Sequence, residues 1–207
     1  MGQGFGARPV SHTRLRCRIE ITPGCAGPWK QTATDYLVIG SGRAGLAFAD
    51  RLLDETNAHI TIVDRRGKPG GHWNDAYSFV TLHQPSAFYG VNSMALGTGR
   101  KDTMGHNAGL YELASGPEVS GYFDRVMNHK LLPSGRVSYH PMGNHLGGQQ
   151  FESMLSGERT QVQVPRKVVD ATHHSPSVPS THSPVPRGAR RAAGATECLP
   201  PARLRPA

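Results

Sequence analysis

Tyr36-Leu37-Val38-Ile39-Gly40-Ser41-Gly42-Arg43-Ala44-Gly45-Leu46 is the stretch from which the fold can be read. Its first four residues form a short apolar run closed by glycine, the pattern of a strand buried in a parallel sheet. Beyond the glycines, Ala44, Ala47, Phe48 and Leu52 recur at helical spacing, which predicts an amphipathic helix from Arg43 to about Glu55. His59-Ile60-Thr61-Ile62-Val63-Asp64 follows, and its β-branched residues favour a second strand. Strand, helix and strand make a βαβ unit with a right-handed crossover.

The glycines lie where strand turns into helix. Gly40 permits the tight turn, Gly42 lets the backbone approach a pyrophosphate, and Gly45 lets the helix pack close to the sheet. The helix N-terminus, around Ser41 to Ala44, presents free amides and a positive dipole end to phosphate. Asp64 stands 24 residues after Gly40, where a carboxylate accepts hydrogen bonds from an adenosine ribose. The pattern reads as a dinucleotide site; a glycine-rich turn with no ligand is the plainer alternative.

Arg65-Arg66-Gly67-Lys68-Pro69-Gly70-Gly71-His72-Trp73 comes directly after the acid. A plain NAD-binding unit would enter its next crossover helix here, but this chain turns on paired glycines and delivers a tryptophan. The segment resembles the GGxW stretch of flavin-containing monooxygenases and related two-dinucleotide flavoproteins. Leu82-His83-Gln84-Pro85-Ser86 extends the resemblance, which covers residues 34–187.

The resemblance implies FAD as cofactor, with Gly40, Ser41, Gly42, Ala44, Gly45 and Asp64 as contacts. It implies that Gly71 and Trp73 run toward the flavin ring, Trp73 having core packing as its other reading. Arg65 or Arg66 would meet the adenine or a phosphate, or form a solvated charge pair. His83 and Gln84 would hydrogen-bond the ring edge, although an isolated histidine is more often structural. Asp170-Ala171-Thr172 falls where such flavoproteins have an Ala-Thr-Gly turn, with His173 in place of the glycine.

Residues 67–116 lose regular periodicity and are rich in Gly, Pro, Asn and aromatics. An irregular stretch this long is usually functional or disordered. Trp73, Tyr77, Phe79, Phe88 and Tyr89, read as buried rings, predict a structured loop region. Helical pattern returns over Glu118–Leu132 and stops at Pro133-Ser134-Gly135. Arg136–His140 predicts a third strand, Phe151–Val164 a hairpin about Ser156-Gly157, and Arg166–Ala171 one more strand. The expected fold is α/β: a Rossmann-like FAD-binding domain, a parallel sheet with crossover helices plus a small β-hairpin or meander. The expected division is a disordered extension over 1–33, the FAD-binding domain over 34–174, and a Pro-rich linker and disordered tail over 175–207.

The formal net charge of +8 belongs to the ends of the chain. Arg8, Arg14, Arg16, Arg18 and Lys30 face Glu20 alone, Arg187, Arg190, Arg191, Arg203 and Arg205 face Glu197 alone, and the middle is neutral. A neutral middle argues against nucleic acid as partner. Cys17, Cys25 and Cys198 form no CxxC pair, so neither a disulfide framework nor a metal site is implied. No apolar run reaches the roughly 18–20 residues needed to span a bilayer. Neither a GxSxG elbow nor a Walker A loop supports hydrolase or kinase chemistry. A cytoplasmic location is expected; the Arg-rich, acid-poor stretch up to Arg18 supports a mitochondrial alternative.

In the full family, NAD(P)H bound on a second Rossmann domain reduces the flavin, which then activates O₂. Gly188 to Gly194, the glycine-containing stretch after the 171–187 linker, is not a GxGxxG loop. The resemblance therefore implies the FAD-binding lobe of a monooxygenase-like oxidoreductase linked to NAD(P)H, truncated and inactive alone. The alternatives are a non-catalytic nucleotide-binding remnant and a simple NAD(P)-binding dehydrogenase domain. The catalytic residues, the small-molecule substrate and the oligomeric state are not legible in the sequence.

Overall fold

The computed structural model describes residues 29–172. Expectations for residues 1–28 and 173–207, among them those for the cysteines, His173 and the Pro-rich tail, lie outside the described residues.

The main sheet is parallel throughout. It is built from β2 (Tyr36–Ile39), β3 (Ile60–Asp64), β4 (Val137–Pro141) and β8 (Lys167–Asp170), in the spatial order β4-β3-β2-β8. Helix α1 (Arg43–Glu55) makes the crossover from β2 to β3. A second, mixed sheet has the order β1-β7-β6-β5, from β1 (Lys30–Ala33), β5 (Gly143–Gly147), β6 (Gln150–Ser153) and β7 (Arg159–Gln163).

The two sheets and the helices form three layers, and β2 shows how. Val38 faces the helices and joins a core with Leu46 and Ala49 of α1, Ile60 and Ile62 of β3, and Val119 and Phe123. Its neighbours Leu37 and Ile39 face the other way, onto Phe151 and Val162 of the small sheet, together with Val63. Alternate side chains of a strand point to opposite faces, so covering both faces buries all five residues of β3. That is why these strands read as continuous apolar runs.

Helix α2 (Gly116–Val126) begins at a capping box, in which the Glu118 carboxylate accepts from the Ser115 amide and hydroxyl, both at 2.7 Å. The sequence predicts one helix to Leu132. In the structure α-helical hydrogen bonding gives way to a π turn at Met127–Leu131, then a 3-10 turn at Leu132–Ser134 that Gly135 ends at φ +69°. The wider turn carries Lys130, whose ammonium lies 2.7 Å from Asp50 and 2.8 Å from Asp54 on α1.

Two expectations are corrected. Order begins before Thr34: Lys30–Ala33 is a strand although it has no apolar run, because it pairs in parallel with β7 at the edge of the small sheet. Of the rings expected to be buried in residues 67–116, Phe79 and Phe88 are 55% and 68% exposed, whereas Trp73 and Tyr89 are half-buried and pack against the core. Leu82, Val91, Leu96 and Ala114 sink into the main core from that region, and polar contacts add to their hold. Tyr122 Oη accepts from the Val91 amide at 2.6 Å and donates to the Met94 carbonyl at 2.5 Å, and buried Asp50 accepts from the amide and hydroxyl of Ser93. Gly143–Gly147, which carries no strand signal, adds β5 as the far edge of the hairpin sheet.

Candidate functional site

The site is built at the carboxyl ends of β2 and β3. Gly40 leaves β2 at φ +101°, and its amide donates to the Val63 carbonyl at 2.8 Å, tying the turn to the neighbouring strand. Only glycine takes this conformation without cost. Gly45 is more tightly constrained, because a Cβ there would lie 2.0 Å from the Gly40 carbonyl oxygen. Helix α1 starts at Gly42 with no side-chain cap and no acidic residue in its first turn. Its first amides, including that of Ala44, are the orphan donors of a helix start, with the positive end of the dipole behind them.

Gly70 and Gly71 come back to this loop. The Gly70 amide donates to the Ser41 carbonyl at 2.9 Å, and a Cβ on Gly71 would stand 3.0 Å from Gly42 Cα. Both glycines have positive φ, +115° and +60°. Residues 65–71 thus fold back onto the start of α1 instead of entering a crossover helix.

Asp64 is 6% exposed, and most of its hydrogen-bonding capacity serves its own chain. Its Oδ2 accepts from the Ser41 amide at 2.6 Å and the Ser41 hydroxyl at 2.7 Å, while Oδ1 accepts from the Arg66 amide at 2.8 Å. Ser41 is fully buried, with Tyr139 Oη 3.3 Å from its Oγ. Burial pushes the Tyr139 phenol up; the Ser41 hydroxyl opposes this and the Asp64 carboxylate adds to it. The carboxylate is therefore an organiser of the loop.

The remaining candidates separate. Arg66 is committed, its guanidinium pairing with the Asp75 carboxylate, while Arg65 is exposed. Trp73 is half-buried: its indole N–H donates to Tyr89 Oη at 2.7 Å and the two rings meet edge-on at 5.8 Å. His83 is exposed and Gln84 half-buried, just beyond the bridge joining Thr81 to Ser115 ahead of α2, with no side-chain hydrogen bond to another described residue. The structure gathers Gly40, Ser41, Gly42, Ala44, Gly45, Asp64 and Gly71 into one cradle, with Arg66 and Trp73 fixed in the segments around it.

Two participants, Arg43 and Tyr139, escape sequence reasoning. Arg43, the first residue of α1, donates to the Phe88 and Tyr89 carbonyls at 3.0 and 3.1 Å and covers the Tyr89 ring at 4.9 Å, strapping the irregular region to the loop. Tyr139 reaches the site from β4, and no local spacing signals it; Tyr89, expected as a ring of the loop region, reaches it through Trp73 and Arg43. A cavity of about 510 Å³ lies elsewhere, bordered by Asp102, Glu112, Glu118, Tyr122 and Arg125, and no residue of the cradle lines it. Among the described residues no group of three or more His, Cys, Asp or Glu could hold a metal ion, and no helix is long and apolar enough to cross a membrane.

Residues 38–98 match the family model of the NAD(P)-binding Rossmann-like domain. The described domain has a Rossmann-like α/β fold. The match runs from β2 through the glycine loop, α1, β3 and the Gly70–Gly71 return, so it covers the whole cradle. An uncharacterized protein of Mycobacterium tuberculosis strain H37Rv is 52% identical over 154 residues, which is 74% of this chain and 28% of that protein. An uncharacterized protein of Mycobacterium bovis matches to the same extent, so the chain spans 28% of the length of these curated relatives. Among solved structures, the Rossmann-like domain is similar to a flavin-containing monooxygenase from Stenotrophomonas maltophilia, with TM-score 0.47 and 19% identity over 71% of this chain and 42% of that one. It is similar also to a bacillithiol disulfide reductase from Staphylococcus aureus, with TM-score 0.49 and 12% identity over 69% and 39% of the two chains.

Proposed function

We propose that this chain supplies the FAD-binding part of a flavin-dependent, NAD(P)H-linked oxidoreductase of monooxygenase-like ancestry. The observation that carries the reading is the seating of Gly70–Gly71 on Gly42, with a Cβ on Gly71 only 3.0 Å from Gly42 Cα. That return favours FAD over a nicotinamide cofactor, because it replaces the crossover helix of a plain NAD-binding unit.

The residues present fit the group. The uncapped start of α1 suits a pyrophosphate, since its amides lack side-chain acceptors and no carboxylate stands in the first turn. Gly42 and Gly71 carry no Cβ that would hold a phosphate away from the backbone. Oδ1 of Asp64, with one bond already to the Arg66 amide, would take a ribose hydroxyl. Arg65, exposed beside it, would face the adenosine end, while Gly71, Trp73, His83 and Gln84 would lie toward the flavin. Bound FAD would supply the two-electron chemistry, and the protein would supply binding, orientation and shelter from water.

A second reading, a plain NAD(P)-binding dehydrogenase domain, draws on the family description matched by residues 38–98. Reconstitution separates the two. Purified protein incubated with FAD and then desalted is expected to stay yellow with one flavin per chain. Colourless protein that retains NAD instead would replace the first reading with the second.

A further inference from the structure

Met142 is the one non-glycine residue with positive φ among the described residues, at φ 52°. Its place is specific. Strand β4 is the neighbour of β3, Pro141 is the register partner of Asp64, and Met142 comes next. Its amide donates to the Arg66 carbonyl at 3.1 Å, and its carbonyl accepts from the Met154 amide at 2.7 Å. Those two bonds fix the backbone, and glycine could make both with no steric penalty. They leave the methionine side chain unexplained. It is half-buried, and its sulfur lies 3.7 Å from where a Cβ on Gly67 would be, so the thioether rests on the Arg65–Gly67 turn beside Asp64.

Resting on the FAD reading above, we propose that Met142 contacts the base of the cofactor's adenosine, its thioether forming the outer wall for the flat ring. Adjacent strands lie about 4.8 Å apart. A pyrophosphate at the end of β2 and a ribose at Asp64 on β3 place the next group, the base, over the end of β4, where Met142 stands. A thioether is polarizable and packs favourably against an aromatic ring. A functional contact also accounts for a bulky residue kept in a left-handed conformation, since unfavourable backbone geometry concentrates at ligand sites.

The test compares wild type with Met142→Gly, Met142→Asn and Met142→Leu, measuring FAD and ADP affinity by titration and thermal stability by calorimetry. Glycine and asparagine both accept positive φ but remove the thioether. Both variants are expected to bind FAD and ADP about fivefold more weakly, with Tm unchanged or raised. Leucine keeps an apolar wall and is expected to bind within about twofold of wild type by the same contact scale, even if its Tm falls. Wild-type affinity in the glycine and asparagine variants overturns the proposal, as does a loss of affinity that only tracks a loss of Tm. Wild type that binds neither FAD nor ADP overturns the FAD reading and this proposal together, an outcome distinct from the other two.

Discussion

Gly45 of α1 faces the Gly40 carbonyl so closely that a Cβ would sit 2.0 Å from the oxygen and 3.4 Å from Ala171 Cβ. The first contact is with backbone at the end of a buried strand, which no rotamer change can relieve. Gly45→Ala is therefore expected to destabilise the domain by about 3 kcal/mol or more, as forced overpacking against fixed atoms does. Chemical denaturation checks it. A midpoint equal to wild type would mean that helix and strand can move apart freely.

Asp64→Asn tests the organising role of the carboxylate. Asparagine has one acceptor oxygen where the native chain uses two, so its NH₂ must confront either the Ser41 donors or the Arg66 amide. The expected loss is about 1–3 kcal/mol, the cost of leaving a buried donor unsatisfied. Nucleotide affinity should fall with it, and unchanged stability would show that the Ser41–Asp64 bonds contribute nothing net.

The pair of Lys130 with fully buried Asp50 predicts a large effect far from the cradle. Burial works against the Lys130 charge, but hydrogen bonds and attraction from Asp50 and Asp54 hold its pKa above the usual lysine range. Lys130→Met leaves Asp50, among the described residues, with the Ser93 donors alone, and is expected to cost about 3 kcal/mol, as breaking a buried pair does. Protease sensitivity around Ser93 should rise as well, because Asp50 also holds that segment.

Stability should fall in acid partly through the capping box. The Ser115 hydroxyl, then its amide, hold the Glu118 carboxyl below the ordinary glutamate range, against burial and the Glu112 charge. A carboxyl with a depressed folded-state pKa adds stability that is present above its unfolded pKa and lost as pH falls through the folded value. A Tm series from pH 7 downward should therefore show a drop below the ordinary glutamate value of 4.5 that is smaller in Glu118→Gln. Identical acid limbs would remove Glu118 from the cause.

The βαβ unit was legible because everything that defines it is local: an apolar run, glycines at fixed offsets, helical spacing and a second β-branched run. Asp64 was legible as a position but not in its partners, since its bond to Ser41 joins the ends of two strands. Lys30–Ala33 carries no apolar signal, and its order comes from pairing with β7 far along the chain. Phe79 and Phe88 look like core residues by type, but the irregular turns that carry them place no layer over their rings. Arg43 and Tyr139 act through contacts to distant segments, which composition and periodicity do not encode.

The most direct measurement is a paired calorimetric titration of the purified protein with FAD and with NAD, on wild type and on Gly71→Val. Valine would place a branched side chain where even a Cβ comes within 3.0 Å of Gly42 Cα. Wild type is expected to bind FAD one to one and more tightly than NAD, and Gly71→Val to lose FAD binding by about tenfold or more (roughly 1.4 kcal/mol). Tighter binding of NAD than of FAD by wild type, with no effect of the valine on FAD, would contradict the assignment of this cradle to a flavin cofactor.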